Sequence, residues 1–595
     1  MKHLAVFLFA ILGLAQNPLP KDHPEVKRGR RQQASRLTAE IAGGASAKAS
    51  PVSRRNFIDE HIFGRMEKDR VPHAPLAGDY EFFRRVHLDL TGRLPKPEET
   101  RAFASSSDPD KRDRLIDKLT QSEAYKAKWA YWFSDLAQVN SNRLGTDGRN
   151  LFYQYIYDFL HLDRPYNEVV EEILTTRAAS NYYIGPASYL VRWVVIGATC
   201  TDTVHEDTSD EIAIWSAKHF LGINLQCVSC HDGRGHLEKI NPWMATRKRE
   251  ELWKQAAFFG RTRILRRAEV QTTKDEYSID DKGEGYDARA RSVVRVPRNG
   301  KGMVEPEFFL TGERPQPGKP LRQEFVRILT SHPQFARATV NMLWAEMMGV
   351  GIVDPVDDFD FSRMDPSAKT PEGWPLQPSH PELLDALAKD FANNGYSLRR
   401  LFRLIAKSSA YQLSSRFPGE WKDSYAKYYA RKFVRRLTSE EMYDSIVGAT
   451  NMFSPIPVPN RGMYVDYATE ARSPEDFRRH KDINFFMESF GQPNRDYSPR
   501  TNDGAITQAV LMMNSPMVKE KIRAAPGSYL GGLLAQQPAL GDDEIIGRLF
   551  LRFLVRPPLE KEMAMARGLL TRNRTGGFED LQWLLLNKVD FIFNY

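Results

Sequence analysis

The sequence predicts a mainly α protein with two helical domains separated by a small β-rich insertion. Three observations carry this. Apolar residues recur at spacings of three and four over 111–139, and 151–176 continues in the same style, the pattern that gives a helix one buried stripe. The stretch 266–320 breaks that period with Val/Tyr alternation and dense Gly/Pro punctuation, as strands and turns require. From residue 321 the helical pattern returns.

The elements follow in order. MKHLAVFLFAILGLAQNP sets Lys2 and His3 before an unbroken apolar run, Leu4–Leu14, with Gly13 and Ala15 preceding a cleavage point at Gln16. This is the layout of a signal peptide over residues 1–15, too short to span a bilayer comfortably. Residues 16–55, rich in Lys, Arg, Ala, Ser and Gly, read as a basic flexible linker. Residues 56–265 form the first helical domain, with Leu115, Leu119, Trp129, Trp132, Phe133 and Leu136 on a buried stripe. Later in it, Ser209 or Asp210 caps a helix whose face carries Ile212, Trp215, His219 and Ile223. Residues 266–320 are the insertion. In the second domain, 321–595, Ser379 is the expected N-cap and Pro381 fits the first turn. Leu383, Leu384, Leu387 and Phe391 form the stripe, and Gly395 is the stop. Ser397 caps LRRLFRLIAKSSAY, and Thr438 with Glu441 makes a capping box.

Composition excludes several classes. The chain has 595 residues, 41% hydrophobic and 27% charged, enough for a substantial core and too apolar for wholesale disorder. Its three cysteines, Cys200, Cys227 and Cys230, exclude a disulfide-rich scaffold. The net charge of +8 is a tail property: residues 21–55 hold nine Lys/Arg against three acids and Lys2 adds one, leaving about +1 beyond. No nucleic-acid partner is expected. Arg399, Arg400 and Arg403 on a helix–turn–helix outline read as an ordinary antiparallel pair, because export removes the DNA. No integral membrane segment is expected in the mature chain, which is placed in the periplasm or outside the cell.

One constellation carries chemistry. Cys227, Cys230 and His231 stand in the order C-x-x-C-H, in which two thiols add across the vinyl groups of haem and the adjacent imidazole ligates the iron. Export makes that reading stronger. His236 and Met244 are candidates for the second axial ligand, with His205 and His219 nearby. His219, on an apolar face, reads as a core residue. A zinc site would use Cys227, Cys230 and His236 with His205 or Cys200. Thiol exchange is disfavoured because the cysteines follow a helix C-terminus, where the dipole opposes a thiolate. The acidic stretches HEDTSDE and DPVDDFD read as caps and turns, since neither has an EF-hand pattern. GxSxG, HExxH and Walker signatures are missing, so no catalytic activity is assigned.

RRVHLDLTGRLPKPEE at 84–99 and FLGINLQCVSCHDGRGHLEKINPW at 220–243 resemble the secreted bacterial domain of unknown function numbered fifteen-forty-nine, the planctomycete cytochrome-associated domain. QFARATVNMLWAEMMGVGIVDPVDDFD, PSHPELLDALAKDF, GQPNRDYS and ITQAVLMMNSP resemble its usual C-terminal companion, numbered fifteen-fifty-three. The resemblance implies an exported, redox-associated protein, with secreted sulfatase-like or cytochrome proteins as partners. The chain departs in having one CxxCH only, and HDGRGHLEK where HDHPF-type continuations are commoner. The expected function is an exported haem-c-type protein in a redox or electron-transfer role. The alternative is a non-catalytic periplasmic or cell-surface binding scaffold whose CxxCH is a structural disulfide or zinc site.

Overall fold

The computed structural model describes residues 29–43, 51–197, 203–269, 272–496, 500 and 506–595. The expected signal peptide and Cys200 lie outside the described residues. The chain is 55% helical, and each described sheet has only two strands, so the protein is mainly α with minor β.

The longer helices are α1 (Arg30–Ala42), α2 (Phe57–Lys68), α3 (Asp79–Thr91), α4 (Pro97–Ser105), α5 (Lys111–Leu119), α6 (Glu123–Leu136), α7 (Ser141–Leu162), α8 (Tyr166–Thr175), α9 (His205–Leu221) and α10 (Arg249–Ala256), with one short turn of helix at Ser188–Val191. The hairpin β1 (Arg263–Glu269) and β2 (Thr272–Asp280) follows. Beyond it come α11 (Leu321–Ser331), α12 (Pro333–Met348), α13 (Pro381–Asn393), α14 (Leu398–Lys407) and α15 (Ser439–Thr450), with further helices to the C-terminus. Local chemistry starts many of them. Asn56, Ser122 and Asn140 accept backbone N–H groups at the starts of α2, α6 and α7. Ser397 does the same for α14, and Thr438 with Glu441 closes the capping box of α15, each satisfying donors that a bare helix end leaves open. At α13 the cap position is His380, without a side-chain cap bond. Ser379, expected there, instead donates from its backbone N–H to Ile352 O at 2.9 Å.

Residues 30–42 correct the linker reading. They form α1, whose Ser35 and Thr38 are fully buried. Ser35 Oγ donates to Asp423 at 2.9 Å and accepts from Trp421 Nε1 at 2.8 Å, while Thr38 Oγ1 accepts from Val434 N at 2.9 Å. The docked face is polar, so hydrophobic periodicity does not reveal it.

The cores also divide differently from the expected domains. One apolar cluster runs from Ile58 to Phe433, with Val555 added from the C-terminal region, and includes Leu343, Trp344 and Leu387. A second gathers Leu437 to Phe591 with Leu88 and Tyr131. Residues 321–433 therefore share a core with the first half. The hairpin is part of that core: Ile264 pairs with Ile279, both buried, and Ile279 exchanges backbone hydrogen bonds with Ala178 at 2.8 and 3.1 Å.

Candidate functional site

The CxxCH segment is placed by the end of α9. Gly222 terminates the helix at φ 66°, and a Cβ there would come within 2.7 Å of the Phe359 ring; only glycine meets both demands. The chain then buries Ile223 and Leu225 and makes a single 3₁₀ turn, Cys227–Ser229. Ser229 N donates to Leu225 O at 3.1 Å, and Cys230 N to Cys227 O at 3.4 Å. At three residues per turn, positions 227 and 230 share one side. Val228 and Ser229 are buried and anchor the turn, while Cys227 and Cys230 are half-buried and unbridged.

Burial first, and the Asp358 carboxylate second, raise the Cys227 pKa above the ordinary thiol value. The thiol stays protonated at neutral pH, which opposes thiolate redox exchange. His231 is exposed, and its Nδ1 lies 3.1 Å from Asp232 O. A carbonyl only accepts, so Nδ1 carries the proton and Nε2 keeps its lone pair. The exposed His236 ring stands edge-on, 3.9 Å from that of His231 between centroids. Partial desolvation first and the neighbouring His231 second hold its pKa below the ordinary imidazole value.

Arg249, at the start of α10, clamps this turn. Its backbone N–H donates to Asp232 Oδ1 at 2.8 Å and its Nε to Ser229 O at 2.9 Å. Its two Nη atoms donate to Pro297 O and Val296 O, each at 2.6 Å. The clamp ties the Val296–Pro297 segment, whose Val296 is half exposed, to the turn through Ser229. Sequence reasoning missed Arg249, because its partners lie 17 to 48 residues away and no local pattern marks it.

The other expected ligands are not gathered here. Met244 is buried in the first core. His205 donates from Nε2 to Gly260 O at 2.8 Å. His219 is buried, 3.1 Å from the Tyr189 hydroxyl, which fits the core role read from its apolar face. Among the described residues no group of three or more His, Cys, Asp or Glu side chains is arranged to hold a metal ion. Ser209 and Asp210 are interior to α9 rather than at its cap: Arg298 is fully buried against Asp207 and Asp210, at 2.7 Å from the latter, and Tyr286 OH donates to Asp210 at 2.7 Å. Part of the HEDTSDE stretch is therefore a buried ion cluster.

Two predictions arise here. Gly233 N donates to Arg247 O at 2.9 Å, and a Cβ on Gly233 would lie 2.1 Å from Met244 O. Gly233→Ala is expected to destabilise by about 1–3 kcal/mol, the usual cost of overpacking, read as a lower melting midpoint. An unchanged midpoint would contradict this packing. Burial first, and the Lys218 charge second, lower the His219 pKa from 6.5 to about 3. Below the ordinary value the unfolded chain binds a proton that the folded chain refuses. Stability from this residue is thus complete above pH 6.5 and lost as pH falls towards 3, at about 1.4 kcal/mol per pH unit. Denaturant titrations of the parent and His219→Gln should show the parent losing more stability between pH 6 and pH 5 by that amount. Parallel losses would refute it.

No helix among the described residues is long and apolar enough to cross a membrane. No curated protein and no solved structure shows significant similarity to the chain. Residues 57–263, which contain the CxxCH turn and α9, match the family model PSCyt2, described as a protein of unknown function (DUF1549). Residues 321–570 match PSD1, described as a protein of unknown function (DUF1553). With both matches in this order along one chain, the protein belongs to the family that pairs a PSCyt2 domain with a PSD1 domain.

Proposed function

We propose that the chain is an exported protein that carries haem c on the Cys227–His231 turn and serves electron transfer or a related redox role. The observation that supports this reading best is the state of the turn: two unbridged thiols on one side, next to an exposed imidazole whose Nε2 lone pair is unengaged. Those residues fit the group. Each thiol S–H would add across a vinyl C=C, so no atom leaves, and His231 Nε2 would ligate the iron. The bound iron would supply one-electron chemistry. Asp232 O, accepting from Nδ1, fixes the His231 tautomer. The half-exposed Val296, tied to the turn through Arg249, offers apolar surface to a flat apolar group. Of the two further candidate ligands, Met244 packs into the core and His236 is exposed.

The test is a haem stain on a denaturing gel with a pyridine haemochrome spectrum, on protein exported from a host that expresses cytochrome c maturation factors. A stained band at the mass of the chain is expected. A folded, colourless, unstained protein would overturn the proposal.

A further inference from the structure

A cleft of about 380 Å³ opens between the Trp243–Arg247 segment and the first turns of α12, within the roughly 300–1,000 Å³ range of ligand pockets. Trp243, Leu310 and Phe361 supply apolar wall, and His332, Arg247 and Arg337 supply the polar groups. No acidic residue lines it among the described residues. The geometry points to a binding site for a small organic oxyanion on an apolar ring: a carboxylate, a phosphate monoester or a sulfate ester.

The donors are arranged for that chemistry. His332 Nδ1 accepts the Gln334 backbone N–H at 3.1 Å, so a neutral ring carries its proton on Nε2 and offers it as a donor. Burial and the positive charge of Arg337 both lower the His332 pKa, which keeps the ring neutral at pH 7 and places Arg337 close by. Arg337 is steadied from outside the cleft by Asp385, at 2.7 Å from Nε, a contact that leaves its two Nη groups for a forked contact with an oxyanion. Arg247 is held at Nη1 by Glu251, at 3.0 Å, and donates from Nε and Nη2 to the Thr246 hydroxyl at 3.2 and 2.9 Å, which leaves one N–H on each Nη; it stacks over Trp243 at 4.8 Å. The Trp243 and Phe361 rings, 4.8 Å apart between centroids, leave an apolar corner beside these cations. The inference does not rest on the haem reading.

Isothermal titration calorimetry of the full chain with benzoate, phenyl phosphate and phenyl sulfate, and with benzyl alcohol as the uncharged control, tests it. At least one anion should bind one to one, more weakly as salt rises, and benzyl alcohol should not. The anion that binds identifies the head group. Arg337→Gln should weaken binding about tenfold or more, as expected for losing a charge-assisted contact. Arg247→Gln, at the other wall, gives an independent reading if Arg337→Gln does not fold. Absence of binding by all three anions up to about 10 mM, equal binding of benzyl alcohol, or unchanged affinity in the folded variants would overturn the proposal.

Discussion

Asp89→Ala is expected to destabilise the protein by about 3–5 kcal/mol, the cost of removing one partner from a buried ion cluster. Asp89 is 2% exposed on α3, between Leu88, which belongs to the second core, and Leu90, which belongs to the first. Its Oδ1 accepts from Arg435 at 3.0 Å and from Asn594 Nδ2 at 2.7 Å. Its Oδ2 accepts from the Tyr411 hydroxyl at 2.9 Å and faces Lys432 Nζ at 3.5 Å. Burial alone would raise its pKa, yet Lys432, Arg435 and Lys128 together bring it below the ordinary carboxylate value. Four chain segments distant in sequence thus converge on one carboxylate. Without it, Lys432, already lowered to about 7 by burial, would lose its counter-ion and shed its proton. Arg435 would keep Glu441 as its carboxylate partner among the described residues. Asp89→Asn keeps an acceptor for Asn594 or Tyr411 and should fall between the parent and the alanine variant. Urea denaturation followed by tryptophan fluorescence measures both. A loss below about 1 kcal/mol for the alanine variant, within the range of ordinary substitutions, would show that the cluster is not the clasp described here.

The same cluster explains why some of the fold was legible in the sequence and some was not. The α13 stripe of Leu383, Leu384, Leu387 and Phe391 is buried as its spacing implies, and the Thr438–Glu441 box and the Ser397 cap form as read. These signals are local, with cause and effect a few residues apart. The helix α1 docks by Ser35 and Thr38 hydroxyls, and polar docking leaves no apolar period. Asp210 looked like a cap because Asp is common there; its partners, Tyr286 and Arg298, lie 76 and 88 residues away. The site divides in the same manner. Cys227, Cys230 and His231 were legible as a contiguous motif. The Arg249 clamp on Ser229, Val296 and Pro297 and the engagement of His205 with Gly260 depend on tertiary contacts that adjacency does not encode.

The other large effect is all-or-none. Cys227→Ala with Cys230→Ala is expected to abolish covalent haem, and Cys200→Ala to leave it intact. The double substitution removes both sulfurs that could form thioethers, so no weakened covalent attachment survives it. It also leaves the fold in place: the turn is anchored by buried Val228 and Ser229 and by Arg249 on Ser229 O, while the two thiols are half-buried and unbridged. The expected cost in stability is therefore within about 1–2 kcal/mol. That split separates the haem reading from its alternatives. If the cysteines were a structural disulfide, its four-residue loop would contribute about 2 kcal/mol with no stain in either protein, so the stain separates that case; a structural zinc site would be costlier to lose, because metal binding contributes folding energy. Haem stain and melting midpoint, measured side by side on the parent and the double variant, read the two signatures independently. Loss of stain with a nearly unmoved midpoint supports attachment at Cys227 and Cys230. Stain retained in the double variant would sink it.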